Sequence, residues 1–244
     1  MTDGGHPEED DESSEWSANG PLEGPSSWDD LYLYRGVEVV RHRPLVTGDV
    51  IENIMIPGVS VEPEDVIVLT HPCAMRTGGG RLVERITVAP VRAHQPVKPA
   101  QWSGFARVMP LPELKDERHY AAFLLDQGPV PSADLQAGHR IACLSDTGIS
   151  LLHQRLINHM TRLCVPKGQL FETSAAVLSE VELCEEWVSA AADAGDDPAA
   201  AVASFDSWIR ADLNGTTHQD RLKKPSERAA VRRQIKQAIR ERGW

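Results

Sequence analysis

The chain has 244 residues, 41% of them hydrophobic, and a formal net charge of -11. That is enough for one sizeable core, or for one domain with a helical appendage. No apolar run approaches the ~18 residues a membrane helix needs, and the acidic N-terminus lacks the features of a secretory signal. The four cysteines (Cys73, Cys143, Cys164, Cys184) are widely spaced with no Cys-x-x-Cys pair, which points to free thiols in a reducing cytoplasm rather than a disulfide scaffold.

The charge is polarised along the chain. Residues 1–30 hold ten acidic side chains and no Lys or Arg, whereas residues 221–244 hold nine basic ones against Glu227 and Glu241. Residues 1–30 are expected to form a disordered acidic tail, because they offer little apolar surface to offset ordering entropy. Trp16 and Trp28 are its candidate anchors, on a partner or on the protein's own surface. The net negative charge argues against a nucleic-acid coat but leaves room for a local basic docking surface.

Residues 31–171 read as a β-rich domain with one packing helix. Strands are predicted at 36–43, 49–54, 66–70, 85–91, 104–108, 119–125 and 140–144. They are short and separated by Pro/Gly turns such as Ile56-Pro-Gly58 and Gln127-Gly-Pro129. The segment at 119–125 also suits a helix. This pattern predicts an α+β fold: a small, strongly bent sheet or SH3-like barrel followed by a C-terminal helical region.

The richest stretch runs from Val66-Ile-Val-Leu-Thr-His71-Pro-Cys73-Ala-Met-Arg76 through Gly78-Gly-Gly80 to Arg85-Ile-Thr-Val-Ala-Pro90-Val. It reads as a strand buried on both faces, a permissive turn and a returning strand. His71, Cys73 and Arg76 fall where the backbone leaves the sheet, a position that often carries binding or catalysis.

A helix is predicted at 146–163, capped by Ser145 or Asp146, with Ile149, Leu152, Leu156, Met160 and Leu163 as its buried stripe. On a helical wheel Arg155 and Arg162 share one flank bordered by His159. These three are candidate anion ligands, or else fasten the helix to the barrel. His153 lies among apolar positions, as core histidines do. The segment 164–171, with Pro166 and Gly168, is expected to break the helix.

Residues 172–244 form the predicted helical region. One helix covers 174–194 and a second opens at Asp197-Pro198, a cap followed by first-turn proline. After a polar linker at 214–224, a basic helix runs over 226–242. Its Arg232, Arg233 and Lys236 are candidate contacts to an acidic partner or to nucleic-acid phosphates, and its thin aliphatic stripe is poor for membrane insertion.

Two chemistries compete around Cys73. A neighbouring cation lowers a thiol pKa, and a Cys/His pair is the minimum for nucleophilic catalysis, so Cys73 with His71 defines an enzyme alternative, cysteine-dependent or nuclease-like. A buried structural cysteine is the plainer alternative. Spacing assembles no metal set: His71-x-Cys73 has no second close pair, with only His94, His139 or Cys143 to complete it. The zinc-deaminase pattern and the Gly-x-Ser-x-Gly elbow are both absent. Thr77-Gly-Gly-Gly-Arg81 could cradle a phosphate, but no Gly-Lys-Ser/Thr follows and it leads into a strand rather than a helix, so a hairpin turn is the expectation. No cofactor is implied.

The strand motifs Val46-Thr-Gly-Asp-Val50, Val66-Ile-Val-Leu-Thr70 and Ile86-Thr-Val-Ala-Pro90-Val resemble, in order, those of the MazF/PemK-like toxin family. That resemblance implies a small β-barrel. It does not extend to ribonuclease activity, because Val91-Arg92-Ala93 follows Ala89-Pro90 where such toxins carry a catalytic threonine. Leu69-Thr-His-Pro-Cys73-Ala-Met also looks like a set of uncharacterised bacterial proteins with a Thr/Ser-Gln-x-Cys-Asp-Leu signature, of which only the cysteine is kept here. The resulting expectation is a bacterial, cytoplasmic, non-catalytic binding or adaptor protein in a toxin–antitoxin, mobile-element or phage-defence setting. It would engage a protein partner or, through its C-terminal helix, nucleic acid.

Overall fold

Eight short strands carry the first half of the chain: β1 (Tyr32–Arg35), β2 (Asp49–Ile54), β3 (Glu64–Val68), β4 (Arg85–Ala93), β5 (Val108–Lys115), β6 (Arg118–Phe123), β7 (Gly128–Pro131) and β8 (Arg140–Leu144). In the computed structural model, which describes residues 21–40, 42–77 and 81–244, they form one antiparallel sheet. Its order is β1-β8-β2-β3-β4-β6-β5, with β7 also paired to β4. The Gly78-Gly-Gly80 turn and residues 1–20, including Trp16, lie outside the described residues.

The sheet curls into a nearly closed barrel. Its two edges are bridged by side chains: Tyr32 Oη donates to the Pro112 carbonyl at 2.9 Å and Arg35 Nη1 to the Glu113 carbonyl at 2.7 Å. The β-branched runs follow from burial on both faces. Val50 and Ile67 enter one core with Trp102 and Leu152, while Ile51, Val66 and Val68 enter a second with Met75 and Leu135.

Strands β2, β3, β4, β6 and β8 fall on or close to the predicted segments. Others were displaced or missed. Residues 36–43 are not a strand: Gly36 takes φ 62° and opens a 3-10 turn (Gly36–Glu38), so the strand lies just upstream as β1. Likewise 104–108 mostly precedes β5, which carries Pro110 and Pro112. Strand β7 carries Pro129 and Pro131. Both lie where one side needs no ladder hydrogen bond, the setting in which a strand tolerates proline.

Helix α1 (Ser132–Ala137) is a single short element before β8. Helix α2 (Asp146–Thr161) begins where expected, with Ser145 Oγ accepting from the Gly148 N–H at 3.1 Å. Gly148 allows the close approach of this first turn to β1, since a Cβ there would sit 2.3 Å from the Leu31 carbonyl oxygen. Of the predicted stripe, Ile149 and Leu152 are buried, but Met160 faces solvent.

Helix α3 (Lys167–Asp193) starts one to two turns earlier than the sequence suggests. The chain does break between α2 and α3, but only over residues 162–166: Pro166 is the N-cap residue of α3, and the Glu23 carboxylate accepts from the Lys167 N–H at 2.9 Å. An anion there also complements the helix dipole. The same contact corrects the tail boundary: residues 21–30 pack against α2 and α3, with Leu22 and Pro25 buried and Trp28 edge-on to His119 at 5.5 Å.

Helix α4 (Pro198–Ile209) is capped by Asp197, which accepts from the Ala199 and Ala200 N–H groups. A short α5 (His218–Leu222) interrupts the expected linker, and α6 (Pro225–Glu241) is the basic helix. Trp187, Phe205, Ile209, Val231 and Ile235 form the helical core, on which Trp244 folds back, donating to Asp196 at 2.6 Å. Helix α3 belongs to both halves: Leu178 and Val181 pack in the barrel core, Leu183 and Trp187 in the helical one. Among the described residues no helix is long and apolar enough to cross a membrane.

Candidate anion-binding cleft

Beyond β3 the chain turns through a 3-10 element, Pro72–Ala74, with proline in its first turn and His71 as its cap. His71 Nδ1 accepts from the Cys73 backbone N–H at 3.2 Å, and Nε2 lies 3.0 Å from Ser174 Oγ. A ring whose Nδ1 accepts carries its proton on Nε2, so Nε2 donates to the serine. His153 stacks on this ring with centroids 5.0 Å apart. Burial pushes the His71 pKa down and holds His153 at about 4, so both rings are neutral near pH 7.

This arrangement does not prepare a nucleophile. Both nitrogens of His71 are engaged, one by the backbone of Cys73 itself, and partial burial pushes the Cys73 thiol pKa up. Cys73 is nevertheless exposed, while Cys143, Cys164 and Cys184 are buried, and all four are free. Among the described residues no group of three or more His, Cys, Asp or Glu side chains could hold a metal ion.

Cys73 and Arg76 stand on the barrel wall of a cleft of about 1550 Å³ whose opposite wall is α3, α4 and α5. Arg76 Nη2 donates to the Leu45 carbonyl at 2.8 Å. Its Nη1 is buried with no partner, and the side chain forms no ion pair among the described residues. Six cations line the cleft (Arg43, Arg76, Arg81, Arg140, Arg210, Lys223) against two carboxylates, Glu180 and Asp206.

Several of these cations are already held. Arg43 pairs with buried Glu185 at 3.3 Å, and Tyr34 Oη donates to the same carboxylate at 2.6 Å. Arg140 Nε lies 3.2 Å from buried Asp49, Arg210 bonds Asp206 at 2.6 Å and approaches Glu180 at 3.4 Å, and Lys223 pairs with Asp220 at 2.8 Å. Among the described residues Arg43, Arg76 and Arg210 each keep one buried guanidinium nitrogen without a hydrogen-bond partner, and Arg140 Nε has only its contact with Asp49. Six cations against two carboxylates on one concave surface suit an anionic ligand.

The other sequence candidates go elsewhere. Arg155 is fully buried and donates to the carbonyls of Leu151, Glu23 and Trp102 at 3.2, 2.9 and 3.2 Å, with its guanidinium 4.9 Å from the Trp102 ring. It is a clamp between α2, the N-terminal segment and the turn at Trp102. It fastens the helix through backbone carbonyls. His159 is half-buried, and Arg162 is exposed at φ 67° just past the end of α2, so these three residues share no anion-facing flank.

On α6, Arg232 pairs with Glu182 of α3. Arg233 and Lys236 face solvent, with no ion pair among the described residues, and none of the three lines the cleft. The chain matches no protein-family model and no curated protein.

Proposed function

We propose that this protein is a non-catalytic binding module that receives an acidic polypeptide segment of a partner in the cleft between barrel and helices. The observation that carries this reading is Arg76: a half-buried guanidinium on the cleft wall with no carboxylate partner among the described residues. A guanidinium is not neutralised in a protein, so an incoming carboxylate would balance its charge.

Size supports a macromolecular ligand. The cleft's volume of about 1550 Å³ exceeds the roughly 300–1,000 Å³ of small-molecule sites. Its aliphatic lining, from Leu45, Leu82, Val177 and Val181, suits alternating acidic and apolar side chains. Among the described residues Phe205 is the one Phe, Tyr or Trp in that lining, whereas single-stranded nucleic acid is commonly held on several stacking rings. The occupied nitrogens of His71 and the raised thiol pKa of Cys73 favour binding over the cysteine-enzyme alternative.

The test is fluorescence anisotropy with a labelled Asp/Glu-rich peptide. Arg76→Ala should weaken binding about tenfold or more, the order lost with one charge-assisted hydrogen bond, and Arg76→Lys should restore part of it. Equal affinity in wild type and Arg76→Ala would reject the cleft as the site. A preference for single-stranded nucleic acid over the peptide would reassign the ligand.

A further inference from the structure

We infer that the outward face of α6 is a second binding surface, independent of the cleft, which lies along the phosphates of double-stranded DNA without reading its sequence. Side-chain chemistry divides the helix cleanly. On a helical wheel Val231, Ile235, Ala238 and Ile239 share one arc of about 100°, and Arg232, Lys236, Arg240 and Arg233 share the next. The first arc packs with Trp187 and Phe205 in the helical core, while all four cations are exposed.

The nearby carboxylates leave most of this face charged. Glu227 lies on the far flank and is committed to Arg221 and Lys224, at 2.7 and 3.1 Å, and Glu241 accepts from Gln237 at 2.8 Å. Glu182 of α3 pairs with Arg232. Arg233, Lys236 and Arg240 therefore remain without an ion pair among the described residues.

Their spacing suits a row of phosphates. Arg233 and Arg240 lie about 10 Å apart along the helix axis, with Lys236 between them. One strand of B-form DNA carries a charge about every 3.4 Å of its axis, so three long side chains meet about three phosphates. The backbone beneath them is already fixed: Pro225 opens the helix, its apolar arc is buried, and the Arg242 guanidinium lies 4.3 Å from the Trp187 ring at the far end. Binding has little left to order beyond the side chains themselves.

The same face lacks what other partners use. Beside the cations its arc holds only Pro225 and Ala229, without the apolar centre of a protein interface. It has no aromatic ring for a single-stranded base and no hydroxyl or amide side chain to read the 2′-hydroxyl of RNA. The aliphatic arc that a membrane-lying helix would insert is buried. The net charge of -11 confines contact to this face and keeps the affinity in the non-specific range, with Kd about 10⁻⁶–10⁻⁴ M.

The test uses the full chain and a fluorescein-labelled DNA duplex of about 20 base pairs, read by anisotropy between about 25 and 200 mM NaCl. The slope of log K against log salt should be about -3, at about 0.9 per phosphate neutralised. The triple variant Arg233→Gln, Lys236→Gln and Arg240→Gln should weaken binding about tenfold or more at low salt and flatten that slope. Arg233→Lys with Arg240→Lys should keep both, because these phosphates are met by charge. Arg85→Gln, Arg107→Gln and Arg118→Gln together remove the same charge from exposed positions of the barrel half, and should change the affinity by less than about threefold. Arg76→Ala should leave duplex binding unaltered, and the α6 triple variant should leave acidic-peptide binding unaltered, so either surface can fail alone.

An equal loss in the barrel variant, an unchanged slope in the α6 variant, or no duplex binding at the lowest salt would overturn the assignment. So would tighter binding of an RNA duplex, or of polyglutamate, through the same three residues.

Discussion

Acid should destabilise this protein through one buried imidazole, and the size of the effect can be worked out. His153 lies on α2, 5% exposed, stacked on His71, with Nε2 unpartnered among the described residues. Its pKa is held at about 4, chiefly by burial and further by His71, against an ordinary 6.5. A depressed folded-state pKa means that protons bind the unfolded chain preferentially. The contribution is therefore fully present above about pH 6.5 and is lost as pH falls toward 4. The full difference is of order 3 kcal/mol, of which about 2 kcal/mol is spent between pH 7 and pH 4.5. The assay is urea unfolding at those two pH values for wild type and His153→Leu, a change of similar volume among apolar neighbours. Wild type should lose about 2 kcal/mol more than the variant on acidification. The His71 pKa, also pushed down, acts in the same direction but is present in both proteins. Identical pH dependence in the two proteins would refute the assignment of His153 as a neutral core residue.

Two further outcomes separate the remaining readings. In the native protein at neutral pH only Cys73 should alkylate, and more slowly than a free cysteine because burial raises its pKa, while Cys143 and Cys184 should react only after unfolding. A Cys73 thiolate absorbance persisting at pH 6 would instead revive the nucleophile. On α6, the combined change Arg233→Gln, Lys236→Gln and Arg240→Gln touches exposed positions and should leave stability within about 0.5 kcal/mol. If that face holds duplex nucleic acid, the slope of log K against log salt should become shallower by about 3, and an unchanged slope would exclude it as a phosphate contact.

Much of the barrel was legible because strands buried on both faces leave a plain record, as in Val66-Ile-Val and Ile86-Thr-Val. Strands β5 and β7 were hidden by their prolines, which sequence patterns read as turns and edge positions accept. The early start of α3 was not readable locally, because the group that caps it, Glu23, is remote in sequence.

The site was legible only in part. Arg76 stood out beside a strand exit, but Arg43, Arg140, Arg210 and Lys223 come from separate elements and meet only in the folded chain. One clue was present: Asp49, a carboxylate inside the apolar stretch Val46-Thr-Gly-Asp-Val-Ile51, requires a buried cation, which Arg140 at the start of β8 supplies. Arg155 misled in the opposite direction. A helical wheel assigns it to a polar flank, whereas carbonyls of chain segments far away in sequence draw it inside.

Helix α3 contributes Leu178 and Val181 to one core and Trp187 to the other without a break between them. A continuous rod shared by two bodies cannot act as their hinge, so the halves should respond to a ligand as one piece. On the proposed reading, adjustment to guests of different width falls to residues 36–40, where Gly36 sits at positive φ and Val37 and Val39 line the opening. Stiffening that stretch should narrow the range of guests accepted while leaving the resistance of both halves to unfolding unchanged.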